Sequence, residues 1–135
     1  MSEEKQGPGF APLAERMGIE LVEATAERVV TRMPVEPNRQ PFGVLAGGAS
    51  AMLAESTASR GAILHAEKFG DIAVGVELNA SHHASTREGW VIATATAAHL
   101  GRTSASYEVV IRTEGGKRIC TARVLCLVVA RKGAQ

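Results

Sequence analysis

The chain predicts an α+β fold in which an antiparallel sheet packs against helices on one face. Three observations carry that prediction. Residues 48–68 are a run of small and apolar residues long enough for one extended helix. Two strand-like stretches precede this helix and four follow it. The last two stretches flank a Gly115-Gly116 pair, a hairpin signature. Strands grouped around a single helix, without strand–helix alternation, favour α+β over a parallel α/β sheet.

Residues 1–8 predict a flexible tail, and residues 9–132 a single domain. FAPLAERMG predicts a short helix, with Pro12 near its start and Gly18 closing it. IELVEAT and ERVVTRMPV follow as strands, and EPNRQPFGVLAGG reads as a loop rich in Pro, Asn and Gly. The long helix then runs from about Gly48 to Lys68 and stops near Gly70. DIAVGVELNASHHAS comes next. In WVIATATAAHL, Trp90, Ile92, Thr94 and Thr96 share one face, and Val91, Ala93, Ala95 and Ala97 share the other. TSASYEVVIRT alternates again, and KRICTARVLCLVVA completes the sheet. Short alanine side chains let the helix approach the sheet closely.

Bulk properties narrow the function. At 135 residues the chain is long enough for one domain with a real core. A net charge of +1 and 4% aromatic residues argue against nucleic acid and anionic membrane as partners. No apolar run reaches the ~18 residues of a membrane span, and MSEEKQGPG lacks an apolar signal segment, which predicts a cytoplasmic protein. Cys120 and Cys126 share one face of one strand, roughly 20 Å apart at ~3.3 Å per residue, too far to pair. Two buried thiols fit a reducing compartment. No Cys, His and Asp cluster has metal-ligand spacing.

Glu55 is the residue most suggestive of chemistry. Its helical neighbours are Gly48, Ala51, Met52, Ala58, Ser59 and Ala62, a small and mostly apolar face that predicts packing, while Arg60, Glu67 and Lys68 fall towards the other side. A carboxylate on a packing face needs a partner or a task, such as activating water. Gly47 and Gly48 open the helix, where free N–H groups and the helix dipole favour a developing oxyanion. The same pair could equally serve as a tight turn. Glu55 lies two turns on, and its side chain is expected to lean back towards the loop. Ser59, one turn further, could orient a water or bond its own helix backbone. Gln40 could donate an amide N–H to a carbonyl oxygen or hold its loop. His82 and His83 point to opposite faces of a strand, so one could be buried while the other meets ligand. His65 and His99 read as structural or surface residues. Arg102 and Thr103 could meet phosphates or form a solvated turn.

The element order and the stretch QPFGVLAGGASAMLAES, extended by ELNASHH and HLGRTSASYEVVIRTEGGKRICTARV, resemble hotdog-fold acyl-CoA thioesterases of the phenylacetate-degradation and 4-hydroxybenzoyl-CoA type. The resemblance covers roughly residues 17–130 and implies an antiparallel sheet wrapped around one long central helix. It implies that Gln40 helps hold the thioester carbonyl and that the Gly47 N–H polarises it. It further implies that Glu55 is nucleophile or general base and that Ser59 positions water. His82 would contact the CoA portion, and Gly101, Arg102 and Thr103 would meet its nucleotide and phosphates. Two positions depart from the pattern: Ala46 stands where many relatives carry histidine, and Ala84 where they often carry arginine.

The resemblance implies hydrolysis of an aromatic, 4-hydroxybenzoyl-CoA-like, or medium-chain acyl-CoA to a carboxylic acid and free CoA. No cofactor is implied, because the CoA thioester is itself the substrate. It implies a homodimer assembling to a homotetramer, with sites at the dimer interface. Ala46 motivates the alternative of an acyl-CoA binding module without turnover. A hotdog dehydratase or hydratase needs a catalytic histidine that the loop before the helix lacks.

Overall fold

The computed structural model describes residues 10–131; the tail expected at residues 1–8 lies outside them. The elements are α1 (Pro12–Arg16), β1 (Glu20–Ala24), β2 (Arg28–Pro34), a 3-10 turn (Glu36–Asn38), α2 (Gly47–Glu67), β3 (Ile72–His82), β4 (Trp90–Leu100), β5 (Ser104–Thr113) and β6 (Arg118–Val129). The strands form one six-stranded sheet in the order β1-β2-β4-β5-β6-β3. Every neighbouring pair is antiparallel. The long helix starts and ends within one residue of its expected bounds. It packs against β2, β3, β4, β5 and β6, so the sheet wraps it as the hotdog resemblance implies.

Alternation along the strands sets the core. Val91, Ala93 and Ala95 of β4 are fully buried, while Ile92 and Thr94 between them are half-buried on the outer face. Alternate residues of β6, from Cys120 through Ala122 and Val124 to Cys126, face the helix. Against them lie Leu53, Ala54, Ala58 and Ala62, each 0% exposed. A buried hydroxyl pair ties the helix to the sheet. The Thr57 hydroxyl donates to the Leu53 carbonyl at 2.6 Å, which leaves Thr31 Oγ1 as donor in its 2.7 Å bond to Thr57 Oγ1. Tyr107 Oη donates to the Ala26 carbonyl at 2.6 Å. Gly61 passes directly above this ring, and a Cβ there would lie 2.8 Å from Tyr107 Oη.

α1 ends at Met17, and Gly18 turns the chain with φ +80°. A Cβ on Gly18 would also strike Pro34 at 2.8 Å, so both conformation and space require glycine. Cys120 and Cys126 are both free and buried, and burial raises both thiols. Among the described residues no helix is long and apolar enough to cross a membrane.

Candidate functional site

The buried face of α2 differs from the expected one. Glu55 is exposed and flanks the packing face instead of lying on it, whereas Arg60, expected on the outer side, is only 5% exposed. Alanine and glycine surround this helix on all sides, so its residue pattern hardly distinguishes one face from another. Tertiary neighbours decide instead. The Arg60 guanidinium lies 4.9 Å from the Phe10 ring centroid, and burial lowers its pKa, with Glu67 opposing that shift.

Ala46 is the N-cap of α2, in extended conformation, and supplies no side-chain acceptor. Its backbone N–H donates to the Asn38 carbonyl at 2.9 Å, and its own carbonyl accepts from Ala49 and Ser50. Gly47 and Gly48 therefore open the helix with exposed backbone. His82, at the end of β3, brings its ring here: Nε2 lies 3.1 Å from where a Gly47 Cβ would be. A depression of about 380 Å³ opens at this point, lined by Gly47, Ser50, His82, His83 and Ile119 among others. His82 and His83 are both exposed, so neither is buried. His83 Nε2 instead lies 2.9 Å from Thr121 Oγ1.

Gln40 belongs to a tight loop stitched by Gln40 N–H to Val44 O (2.8 Å) and Gly43 N–H to Gln40 O (2.9 Å). Its Oε1 accepts from the Phe42 N–H, which leaves the amide NH₂ as donor. Leu45 N–H reaches Thr86 O at 2.9 Å and Arg39 Nε reaches Arg87 O at 2.8 Å, so the loop is tied to the segment after β3.

Glu55 and Ser59 occupy a different place. They line a second depression of about 350 Å³ with Phe10, Met52, Ser56, Arg60 and Ile63. This shares no lining residue with the first. The Glu55 carboxylate and the Ser59 hydroxyl both lie over Gly75 of β3. Glu55 does not line the depression at the loop. It lies eight helical steps from Gly47, about 12 Å along the axis, more than one side chain spans. Beneath them, burial raises the Cys126 thiol, while a hydrogen bond with Ser59 opposes that shift.

Gly101, Arg102 and Thr103 lie at the opposite end of α2 from Gly47 and His82. Buried His65 donates from Nε2 to the Gly101 carbonyl at 2.6 Å, and its Nδ1 has no hydrogen-bond partner among the described residues. Its ring meets Phe69 edge-on. Arg102 pairs with Asp71 at 2.8 Å and sits 4.3 Å from the Phe69 ring centroid. Within one protomer the residues expected to act together therefore form three separate groups. Among the described residues no cluster of three or more His, Cys, Asp or Glu could hold a metal ion.

Two residues of this region were not singled out by sequence reasoning as site residues: Gly75, under Glu55, and Cys126, known only as a buried thiol. The available signal for Gly75 was an isolated glycine inside a strand pattern, which marks a bulge or a close approach.

Residues 42–120 match the family model described as the Thioesterase superfamily. The chain is 41% identical over 118 residues to the proofreading thioesterase EntH of Cronobacter turicensis, covering 87% of this chain and 85% of that one. It is 40% identical over 121 residues to a 1,4-dihydroxy-2-naphthoyl-CoA hydrolase of Listeria monocytogenes, covering 89% and 96%. A solved thioesterase of Staphylococcus aureus superposes with a TM-score of 0.84 at 30% identity, covering 88% of this chain and 99% of that one. Two structures of that S. aureus protein carry alanine in place of a glutamine and of a glutamate, fifteen positions apart.

Proposed function

The chain belongs to the thioesterase superfamily, and we propose that this thioester hydrolase cleaves an aromatic acyl-CoA, with medium-chain acyl-CoA as the next candidate, through Glu55 acting across a dimer. The observation that carries the reading is the separation of two chemically complementary half-sites. One half, at the start of α2, offers backbone N–H groups of Gly47 and Gly48, with the imidazole of His82 beside them. The other offers a carboxylate and a hydroxyl side by side, Glu55 and Ser59. Thioester hydrolysis needs both kinds of group at one carbonyl, and a two-fold pairing of protomers supplies both.

The edge of β3, unpaired among the described residues, supports that pairing. Val74 and Val76 on this strand are 42% and 50% exposed, and Leu127 beside them is 38% exposed. Phe42, 83% exposed at the tip of the Gln40 loop, is a second apolar group awaiting cover. Two such dimers make the tetramer. Gln40 and Glu55 stand fifteen positions apart, the spacing of the glutamine and glutamate replaced in the S. aureus relative. The aromatic acyl group is supported by the Listeria relative, named for a naphthoyl thioester. The free thiols Cys120 and Cys126 support a reducing, cytoplasmic setting.

In this mechanism the thioester oxygen lies against the Gly47 N–H, with the Gln40 amide as second donor. Either Glu55 takes a proton from water as the water oxygen bonds to the carbonyl carbon, or Glu55 bonds to that carbon itself. In both cases the carbon–sulfur bond breaks and CoA leaves as its thiolate. In the second case water then hydrolyses the mixed anhydride and regenerates Glu55. Ser59 orients the water. His82 stands at the thioester end, and Gly101, Arg102 and Thr103 of a neighbouring copy meet the nucleotide.

Release of free thiol from benzoyl-CoA and medium-chain acyl-CoA substrates tests the chemistry: Glu55→Ala loses at least 100-fold in turnover, and equal rates sink it. Complementation tests the split site. Glu55→Ala and Gln40→Ala chains, each impaired, are mixed and re-paired. Half the dimers are then mixed, each with one intact site of two, so about a quarter of wild-type activity returns. No recovery would place the whole site in one protomer. Oxygen-18 incorporation in a single turnover separates the two roles of Glu55.

A further inference from the structure

Gly75 sits in the interior of β3, where glycine weakens a strand and packs nothing. Its backbone does not explain the choice, since it is absent from the glycines with positive φ. Space does. An ideal Cβ at Gly75 would lie 2.9 Å from Glu55 Oε2, 3.7 Å from the Glu55 carboxyl carbon and 3.8 Å from Ser59 Oγ. The vacancy left by the missing side chain is filled by the carboxylate on which the proposed reaction turns.

The strand is shaped around this point. Gly75 pairs with Cys126 and Glu77 with Leu125, so Val76 is an additional residue that bends β3 beside Gly75. Cys126, opposite Gly75 and 0% exposed, presents its thiol to the Ser59 hydroxyl. Glu55 and Ser59 project from one helical face, and Gly75 and Cys126 form the floor below them. By contrast, a Cβ at Gly48, in the helix opening, would meet nothing within 4 Å among the described residues.

We infer that Gly75 is a positioning residue for hydrolysis: the space above its α-carbon is the seat that holds the Glu55 carboxylate next to Ser59. The inference rests on the reading of Glu55 as the reacting carboxylate. A methyl group in the seat would push the carboxylate aside. Because the displaced atoms end a flexible, exposed side chain, the fold would bear this easily while the geometry at the carbonyl would not.

The test is Gly75→Ala in the full chain, followed by thiol release, thermal melting and sedimentation. Expected are an unchanged assembly and a Tm equal to or above wild type, since alanine removes the backbone entropy cost of glycine. KM stays within about twofold and kcat falls by at least tenfold. Adding Glu55→Asp, which shortens the side chain by one methylene and lets the carboxylate withdraw from the methyl group, gives a double variant with turnover at or above that of Gly75→Ala alone. Two outcomes overturn the inference: kcat at the wild-type level, or kcat and Tm falling together without rescue by Glu55→Asp. Glu55→Ala, run in parallel, separates the two ideas. If it abolishes turnover while Gly75→Ala does not, only the seat is wrong; if it leaves turnover intact, the reading of Glu55 fails first.

Discussion

Replacing Gly61 by alanine opposes two effects of known sign. Alanine is the better helix former, by about 1 kcal/mol in a helix interior. Against this, the new Cβ would lie 2.8 Å from Tyr107 Oη and 3.0 Å from both Cε2 and Cζ of the same ring. The ring cannot withdraw, because Tyr107 is 1% exposed and its hydroxyl is tied to the Ala26 carbonyl at 2.6 Å. Relief means lifting α2 from the sheet, an overpacking cost of about 1–3 kcal/mol. Otherwise the tyrosine bond must break, stranding a buried carbonyl at about 1–3 kcal/mol. Three contacts at 2.8 to 3.0 Å put the clash in the upper part of that range, about 2–3 kcal/mol, so it outweighs the propensity for a net loss of about 1–2 kcal/mol. For a domain of this size that lowers Tm by roughly 3–10 °C. Urea and thermal unfolding of Gly61→Ala measure it. Tyr107→Phe removes the nearest of the three contacts, so the alanine should cost at least about 0.5 kcal/mol less in that background. A Gly61→Ala protein as stable as wild type would refute the argument that Tyr107 sets the height of the helix.

Two further predictions use single groups. Tyr107 is the only tyrosine in the chain, and burial raises its pKa well above that of a free phenol, with Cys126 and Glu27 adding to the shift. The folded protein therefore keeps its proton where the unfolded chain releases it, so stability is full below about pH 10 and is lost as pH rises past that value. Phenolate absorbance should appear only with unfolding, and titration of the native protein at the pH of a free phenol would contradict this. At the other end of α2, His82→Ala should lower turnover about tenfold, about 1.4 kcal/mol, and Ala46→His should recover part of the loss by returning an imidazole to the helix opening. Wild-type turnover in His82→Ala would remove that histidine from the thioester end.

The sequence by itself determined the α+β class, the order of elements and the span of α2 to within one residue. These depend on local chemistry: alternation along β4, glycines at the turns, and a run of small residues too long for a strand. It also named the groups suited to thioester chemistry, because residue types at helix spacing can be read without coordinates. Their grouping could not be read that way. The small-residue helix carries almost no facial contrast, so the exposure of Glu55 and the burial of Arg60 were decided by what β3, α1 and Phe10 place against it. The distance between Gly47 and Glu55 follows from the helical rise, and within one protomer the two line separate depressions. The seat at Gly75 depends on β3 joining the sheet beside β6, at the opposite edge from β1. Only the folded chain brings that glycine beneath Glu55, because the contact joins a helix and a strand through space and leaves no periodicity in either.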